Sequence, residues 1–330
     1  MSQISTRPGT FLPSQIKSYL SLEVRSAYPE PGDFADNPTG TAGLGRESVI
    51  DFAAHNPTHI YFTGRNASAA SSLIAELQST HPKIALTFIE MDLSSLRSVK
   101  EAIAKGFKHD RLDVLMNNAG IIAKPPILSV DRYEIQFATN HLGHAMLTKK
   151  LLPYLLKAAE QPHSDVRVVS NTSDGYEFHR LIKGGISFSD LDKGSTMNKW
   201  ILGPWQRYGQ SKLANILFAA ELARRYPQIT SVVIHPGVVK TPMVTEMRGF
   251  VRWFNNTACW LAGIEMMEPH QGARNQLWCA AGARKEELRN GGFYRPVGVD
   301  STGDLKGEGA NVELAVKLWE WTDRVLEKFA

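Results

Sequence analysis

The sequence lacks the features that mark extracellular, membrane-spanning and nucleic-acid-binding proteins. Its 330 residues include two cysteines, Cys259 and Cys279. These are too few for a disulfide framework, so we expect a reducing compartment, the cytoplasm. No run of about 18 apolar residues occurs, so we expect no transmembrane segment. The net charge of +4 argues against a nucleic-acid partner, although it would not oppose a small anionic ligand.

The first 38 residues lack the pattern of a buried parallel strand. A strand at the centre of such a sheet is a nearly continuous apolar run, whereas residues 32–38 contain two acids, an asparagine and a proline. The nearest substitute, residues 20–25, would bury Glu23 and Arg25, and burying unpaired charges costs several kcal/mol. We therefore predict that residues 1–38 are an atypical, poorly ordered segment. The first strand of the sheet is then missing, displaced or poorly formed.

From residue 39 onward, short apolar or β-branched runs alternate with longer stretches of helical periodicity. This alternation is typical of a parallel sheet with helices on both faces, and a hydrophobic content of 43% allows a full core. The fold class is therefore α/β, a single doubly wound Rossmann domain over residues 39–330. We predict strands at 59–63, 84–89, 114–116, 166–170, 231–234 and 292–294, and helices at 47–55, 67–77, 95–106, 132–159, 208–225 and 311–329.

Two short motifs carry most of the functional information. Asn117-Asn118-Ala119-Gly120 directly follows the apolar run 112–116, and Tyr208 is followed four residues later by Lys212. A Tyr and a Lys at this spacing point from the same face of a helix, but such a pair is a weak signal by itself. Together the motifs resemble the short-chain dehydrogenase/reductase family, in particular its retinol-dehydrogenase-like and fungal members. The resemblance implies an oxidoreductase that uses a nicotinamide cofactor.

The resemblance implies cofactor-binding residues along the whole chain. The glycine-rich turn 40–45 precedes a helix, where backbone amides approach a pyrophosphate, although its loop is one residue shorter than the family pattern. Arg65 stands where an acid would bind a free ribose hydroxyl, and a guanidinium suits a 2′-phosphate instead, so we expect NADP(H). The implied positions are Gly40, Gly43, Leu44, Gly45, Arg65, Asp92, Leu93, Asn118, Ala119, Gly120, Tyr208, Lys212, Val238 and Thr241.

Three features near this cofactor site have a second interpretation. Arg46 either adds to the preference for NADP(H) or is a solvated surface residue. Asp92 lies near the adenine in the family, but it is equally placed to cap a helix before Ser94. The Pro236-Gly237 pair precedes the nicotinamide contacts in the family and would otherwise be an ordinary turn after a strand.

The resemblance also implies four catalytic residues. Tyr208 is the general acid and base, and because a tyrosine pKa near 10 is too high for a base at neutral pH, the cationic Lys212 must stabilise its phenolate. Ser173 would hold the substrate oxygen, with Ser170 or Thr172 as alternatives if the strand shifts in register. Asn140 matches the helix asparagine that holds a water beside the lysine. We interpret the nearby His141 and His144 as packing or polar residues, since no third metal ligand is spaced nearby.

The substrate is suggested by an aromatic and methionine-rich segment at about 242–270, where the family places its substrate-binding helices. Such a composition suits a bulky apolar ligand, although core helices or a membrane-facing pair would have the same composition. We expect an alcohol or carbonyl compound, with secondary metabolites or lipids as candidates, and a homo-oligomer from the family tendency. The alternative is a binding or regulatory protein on the same fold, because the absent strand and shortened loop would prevent cofactor binding.

Overall fold

A computed structural model describes residues 19–23, 43–192, 202–240 and 266–329. Within these residues the chain forms one eight-stranded sheet with the order β3-β2-β1-β4-β5-β6-β7-β8. All neighbouring strands are parallel except β7 and β8, which are antiparallel. The predicted doubly wound sheet is confirmed. The strands are β1 (Tyr19–Glu23), β2 (His59–Gly64), β3 (Ala85–Glu90), β4 (Val114–Asn117), β5 (Arg167–Asn171), β6 (Thr230–Ile234), β7 (Phe293–Arg295) and β8 (Val299–Asp300).

Strand β1 lies at the centre of the sheet, so the first strand is atypical in sequence but not missing. Its backbone pairs with β2 from Tyr19 to Glu23 and with β4 only from Leu20 to Leu22. Within the segment 1–38, the structure describes residues 19–23 as this strand. The rest of that segment, Arg25 included, lies outside the described residues. The gap between β2 and β4 needs a strand, since buried backbone amides and carbonyls require partners.

The helices cover both faces of the sheet, as predicted. Val114 and Met116 point to a core shared with α1 and α2, whereas Leu115 points to a core shared with α3, α4, α5 and α7. This alternation follows from the two-residue period of a strand. The helices are α1 (Leu44–Ala53), α2 (Ala67–Thr80), α3 (Leu96–Gly106), α4 (Gly143–Ala159), α5 (Gly203–Arg225), α6 (Pro269–Leu277) and α7 (Val312–Glu327).

The carboxyl ends of β4, β5 and β6 meet at one edge of the sheet and position the candidate site. Strand β4 ends at Asn117, β5 at Asn171 and β6 at Ile234. Each strand is followed by a segment that the family pattern singles out. These segments are residues 118–120 (the Asn-Ala-Gly segment), the turn at Ser173, and Pro236-Gly237. In open α/β sheets, ligands bind outside these ends of the strands. None of the helices in the described ranges is long and apolar enough to cross a membrane.

Candidate active site

Ser173 and Tyr208 both lie close to Gly175, just beyond the end of β5. A β-carbon on Gly175 would lie 2.9 Å from Tyr208 Cε1 and 3.4 Å from Ser173 Oγ. The Ser173 hydroxyl also accepts a hydrogen bond from the Gly175 amide at 3.1 Å. Tyr208 is 4% exposed, so most of the residue is buried. The structure therefore brings the predicted serine and tyrosine together.

The two alternatives to Ser173 face other parts of the protein. Ser170 is buried, and its hydroxyl accepts a hydrogen bond from Asn117 Nδ2 at 3.2 Å. Thr172 is also buried, and its hydroxyl donates to the carbonyl oxygen of Lys212 at 2.8 Å. Ser173 is half-buried. Its hydroxyl and the Tyr208 ring both lie close to Gly175, and we keep Ser173 as the predicted substrate contact.

Lys212 extends from α5 to the wall formed by the Asn-Ala-Gly segment. Its Nζ donates to the carbonyl oxygen of Asn171 at 3.1 Å and lies 5.7 Å from the centre of the Tyr208 ring. A β-carbon on Gly120 would lie 3.2 Å from Nζ. The glycine therefore leaves room for the ammonium group at the wall of the cleft, and the ammonium lies close enough to Tyr208 to stabilise a phenolate electrostatically.

Asn140 connects the residue after the Asn-Ala-Gly segment, Ile121, to helix α5. It lies in a π-helical turn, Ala138–Leu142, that runs directly into α4; such turns are frequent at functional sites. Its Oδ1 accepts from the amide of Ile121 at 2.7 Å, and its Nδ2 donates to the Ile121 carbonyl and to Ser211 Oγ, both at 2.9 Å. Ser211 Oγ in turn donates to the carbonyl of Tyr208 at 2.7 Å. The buried Asn140 amide thus fixes the position of the segment after β4 relative to α5, the helix that carries Tyr208.

His141 and His144, beside Asn140, make polar contacts within the protein. The Nε2 atom of His141 is 2.9 Å from the hydroxyl of Thr322 on α7, and burial lowers the His141 pKa to about 3. The Nδ1 atom of His144 donates to the Asn140 carbonyl oxygen at 2.9 Å. His141 therefore joins the start of this helical run to α7, whereas the His144 bond lies within the run itself. We interpreted both from the sequence as packing or polar residues.

The helix α1 begins where the glycine-rich turn was predicted to end. Gly43 precedes it with a φ of 71°, a conformation that favours glycine, and the helix then starts at Leu44, three residues earlier than expected. Gly45 is buried in the first turn. Arg46 pairs with Glu76 of α2 at 2.5 Å, so its positive charge is neutralised by a carboxylate at the protein surface. Gly40 lies outside the described residues.

The other cofactor positions lie along the carboxyl edge of the sheet. Arg65 directly follows β2, and Asp92 and Leu93 follow β3. The Asp92 carboxylate accepts hydrogen bonds from the amide and hydroxyl of Ser94 at 2.9 and 2.8 Å and so shapes the turn before α3. It does not cap the helix, as its second interpretation proposed, because the N-cap is Ser95. The Leu93 carbonyl packs so closely on α4 that a β-carbon on Gly143 would clash with it.

The segment after β6 is anchored by Met267. Its amide donates to the carbonyl oxygen of Val238 at 2.8 Å, and its carbonyl accepts from the amide of Lys240 at 2.9 Å. The backbone of Val238 is therefore held in place at the edge of the site. Thr241 and most of the apolar segment 242–270, including Trp253 and Trp260, lie outside the described residues.

A charged cluster beside Ser173 was not anticipated from the sequence. Asp174 forms an ion pair with Arg295 of β7 at 3.1 Å and approaches His235 Nε2 at 3.4 Å. The Asp174 amide donates to His235 Nδ1 at 3.3 Å. Burial lowers the pKa of His235, and the nearby Asp174 carboxylate opposes this effect. The cluster ties the ends of β5, β6 and β7 together, and its members are too far apart in sequence to form a recognisable motif.

A buried ion pair anchors the start of α5, next to Tyr208. The Nε atom of Arg207 lies 3.5 Å from Oε1 of Glu134, and each side chain is only 3% exposed. Burial raises the pKa of Glu134 to about 7. The other end of the guanidinium donates to the carbonyl oxygen of Lys124 at 2.9 Å. The helix that carries Tyr208 is therefore fixed to the loop after β4.

The chain is similar in sequence and fold to a large group of known proteins. The family model described as short chain dehydrogenase matches residues 39–176. The short-chain dehydrogenase/reductase drtF of Aspergillus calidoustus is 34% identical over 307 residues, which span 88% of this chain and 92% of the relative. The chain belongs to the short-chain dehydrogenase/reductase family. It is accordingly an oxidoreductase of that family.

Other members extend the likeness beyond the fungi. Human retinol dehydrogenase 11 is 31% identical over 311 residues, which cover 93% of this chain and 90% of the human protein. A solved structure of a putative uncharacterized protein from Mycobacterium paratuberculosis superimposes with a TM-score of 0.66 at 26% identity and 96% coverage of both chains. The NADPH-bound carbonyl reductase from chicken fatty liver has a TM-score of 0.55 at 21% identity, covering 85% of this chain and 96% of that one. This second similarity is one of fold.

Proposed function

We propose that the protein is an NADP(H)-dependent oxidoreductase that interconverts an alcohol and a carbonyl group on a bulky apolar small molecule. The observation that carries this proposal is the meeting of Ser173 and Tyr208 around Gly175, with Lys212 on the same helix face as Tyr208. A hydroxyl, a phenol and an ammonium in this order are what carbonyl reduction and alcohol oxidation require.

The chain's own residues would handle the proton and the substrate oxygen. The Ser173 hydroxyl would donate a hydrogen bond to the substrate oxygen, and the Tyr208 hydroxyl would donate its proton to that oxygen in reduction or remove it in oxidation. The Lys212 ammonium would lower the cost of the phenolate left on Tyr208. Asn140 would hold a water beside Lys212 and so connect the lysine to solvent. A nicotinamide dinucleotide, when bound, supplies or accepts the hydride.

The cleft fits a dinucleotide. A β-carbon on Gly120 would approach the Lys212 ammonium to 3.2 Å, so the cleft wall is kept free of side-chain atoms where the nicotinamide ribose would lie. Gly43 and the first turn of α1 would receive the pyrophosphate, with Asn118 and Ala119 along the wall and Asp92 and Leu93 near the adenine. On the other side, Val238 and Thr241 would hold the carboxamide.

The preference for NADP(H) over NAD(H) follows from Arg65. A guanidinium at the end of β2 pairs with a 2′-phosphate, whereas an acid there would pair with free ribose hydroxyls. Arg46 is less suited to this role because it already pairs with Glu76. Structural neighbours described as bound to NADPH or NADP, among them the chicken carbonyl reductase, are in line with this assignment.

The apolar substrate class is supported by the composition of residues 242–270 and by the relatives. Methionines and aromatic residues dominate that segment, which suits a large apolar ligand. Human retinol dehydrogenase 11, by its name, acts on a compound of this class. The fungal relatives lead us to include secondary metabolites among the candidates. A cytoplasmic location and a homo-oligomeric state remain part of the proposal.

The alternative, a binding or regulatory protein unable to hold a cofactor, loses its main support. It rested on the absence of a first strand and on the shortened loop, most of which lies outside the described residues. Strand β1 is present, paired with β2 and β4. The enzyme is therefore the proposal we retain.

Replacement of Tyr208 by Phe tests the proposed function. Activity is first measured in the wild type as oxidation of NADPH with a panel of apolar aldehydes and ketones, and in reverse with the alcohols. The variant Tyr208→Phe should lose at least about a thousandfold in kcat, because the proton donor is gone. Its affinity for NADPH, followed by nucleotide fluorescence, should stay within about twofold of the wild type. Wild-type protein that binds no nucleotide, or a variant of equal activity, would overturn the assignment.

A further inference from the structure

The side-chain amide of Gln276, on α6, bridges two parts of the proposed cofactor cleft. Its Oε1 accepts from Asn171 Nδ2 at 2.7 Å, and its Nε2 donates to Ser48 Oγ at 2.6 Å. The same Nε2 approaches the carbonyl oxygen of Leu44 at 3.4 Å. A backbone carbonyl only accepts hydrogen bonds, so the nitrogen of the amide must face α1. Gln276 and Ser48 are fully buried, and both ends of the amide are satisfied.

The two ends of this bridge reach the residues proposed to contact opposite halves of a dinucleotide. At one end, Leu44 begins α1 directly after Gly43, where the pyrophosphate would lie, and the Ser48 hydroxyl donates back to the Leu44 carbonyl at 2.9 Å. At the other end, the carbonyl oxygen of Asn171 accepts from Lys212 Nζ at 3.1 Å, and its side chain donates to Asn118 Oδ1 at 3.1 Å. Gln276 therefore connects the phosphate turn to the lysine.

Helix α6 is itself fixed to the sheet, so the bridge is rigid. The neighbouring Asn275 donates from Nδ2 to the carbonyl oxygens of His235 and Tyr294 at 2.8 and 3.1 Å. Its Oδ1 accepts from the amide of Gly298 at 2.9 Å. These bonds tie α6 to the ends of β6 and β7. A fully satisfied buried network of this kind holds one geometry.

The bridge is also uncharged, which matters for an anionic ligand. Serine, asparagine and glutamine side chains carry no charge near neutral pH. A glutamate at 276 would also accept from Asn171, but it would place a negative charge close to the positive end of α1 and to the ammonium of Lys212. A glutamine makes the connection while it leaves both positive groups available to phosphate and ribose oxygens.

We propose that Gln276 is a positioning residue for the dinucleotide. By fixing the distance between the first turn of α1 and Lys212, it matches the cleft to the separation of the pyrophosphate and the nicotinamide ribose. This inference rests on the proposed function, because it presupposes that a dinucleotide binds here. It predicts that the bridge contributes to binding of the whole dinucleotide and not to binding of its adenosine half.

The test compares NADPH with adenosine 2′,5′-bisphosphate, which carries the adenosine half but neither the pyrophosphate bridge nor the nicotinamide. In Gln276→Met, the Kd for NADPH should rise about tenfold, while the Kd for the half-molecule should change less than about twofold. Ser48→Ala, which removes one hydroxyl, should give a change of about threefold in the same direction. It serves as the readout if Gln276→Met does not fold. The double variant should lose little more than Gln276→Met alone, because both changes break one bridge.

A matched control is Gln271→Met on the same helix. Gln271 is exposed and caps α6 by accepting from the Glu268 amide at 3.0 Å, so its replacement should lower the melting temperature yet leave the ratio of the two Kd values unchanged. Equal weakening of both ligands in Gln276→Met and Ser48→Ala, or no change in either ligand, would overturn the positioning role. Wild-type protein that binds neither ligand would instead reject the proposed function itself.

Discussion

Ser173 Oγ and the ring of Tyr208 both lie against Gly175, at distances of 3.4 and 2.9 Å from the position that its β-carbon would take. Because 2.9 Å is shorter than a normal van der Waals contact, a side chain at Gly175 would displace the phenol ring. Gly175→Ala should therefore lower kcat by roughly ten- to a hundredfold, because a displacement of about 1 Å is enough to misalign reacting groups. Steady-state kinetics with a saturating cofactor would measure the effect.

Gly303 provides the matched control for that substitution. A β-carbon there would meet nothing within 4 Å, so Gly303→Ala should leave kcat unchanged. A Gly175→Ala enzyme with wild-type kcat would mean that the phenol and the hydroxyl do not act together on one substrate atom.

The register of the strand end can be tested through its hydroxyls. Ser173→Ala should lower kcat about a hundredfold, because the hydroxyl would stabilise the transition state; it should also reduce stability by about 1 kcal/mol, because Ser173 Oγ accepts from the Gly175 amide. Ser170→Ala should cost a similar amount of stability, because Ser170 is buried and accepts from Asn117, but it should leave most of the activity. A larger kinetic defect in Ser170→Ala would assign the substrate contact to that residue.

Cofactor preference should depend on Arg65. Arg65→Asp should reduce the ratio of kcat/KM for NADPH to that for NADH by at least about tenfold, since the carboxylate repels a 2′-phosphate and accepts from free ribose hydroxyls. Arg46→Gln is the comparison. Because Arg46 pairs with Glu76, this substitution should change the ratio by less than about twofold. If Arg65→Asp keeps the wild-type ratio, the proposed contact between Arg65 and the 2′-phosphate is wrong.

The stability of the protein should fall between pH 6.5 and pH 4. Burial, with a smaller contribution from His109, lowers the pKa of His59 from 6.5 to about 4. In that window the unfolded chain binds a proton that the folded protein does not, so folding becomes less favourable as the pH falls, and the loss levels off below pH 4. Since His59 is partly exposed, we expect a contribution of about 1 kcal/mol at pH 5.

Thermal unfolding at pH 7.5 and pH 5 would measure this contribution. His59→Gln can keep a hydrogen bond to Thr87, which His59 Nε2 contacts at 2.8 Å, and it should reduce the drop in melting temperature between the two pH values. The exposed His163, with a φ of 58°, gives the control His163→Asn, for which the drop should stay as in the wild type. An equal drop in His59→Gln would mean that His59 titrates normally.

Much of the fold followed from the sequence because the two periodicities are strong from residue 39 onward. The strand predicted at 59–63 is β2 (His59–Gly64), and the helix predicted at 67–77 is α2 (Ala67–Thr80). Errors lie at the ends of elements. Helix α5 begins at Gly203, five residues before the predicted start, because Pro204 is favourable in a first turn and marks a helix start as well as a break.

The central strand was harder because tertiary pairing overrides local composition there. Residues 19–23 alternate apolar and polar positions, which argued against a strand buried between two neighbours. The strand nevertheless pairs with β4 over Leu20 to Leu22 and with β2 over Tyr19 to Glu23, and such pairing is not readable from one strand alone. The short antiparallel β8 was also missed, since two residues carry no periodicity.

The candidate site was predictable where it has motifs and not where it depends on tertiary contacts. Tyr208 and Lys212 are one helical turn apart, so their proximity follows from spacing. Gln276 and Ser48 are separated by most of the chain, and neither belongs to a motif. Asn171 did carry a signal, because a polar residue at the end of a fully buried strand needs partners that the strand itself does not provide.

The central place of β1 has a consequence for synthesis on the ribosome. Leu20 pairs with Val114 on one side and with Ile60 on the other. Strand β1 leaves the ribosome before both neighbours and can pair fully only after both have been synthesised. Until β4 has been made, one edge of the nascent β1-β2-β3 sheet has unpaired amides and carbonyls, a surface that invites aggregation. Slow translation before Val114 should therefore lower the yield of native protein, whereas a chaperone that shields extended chains should raise it.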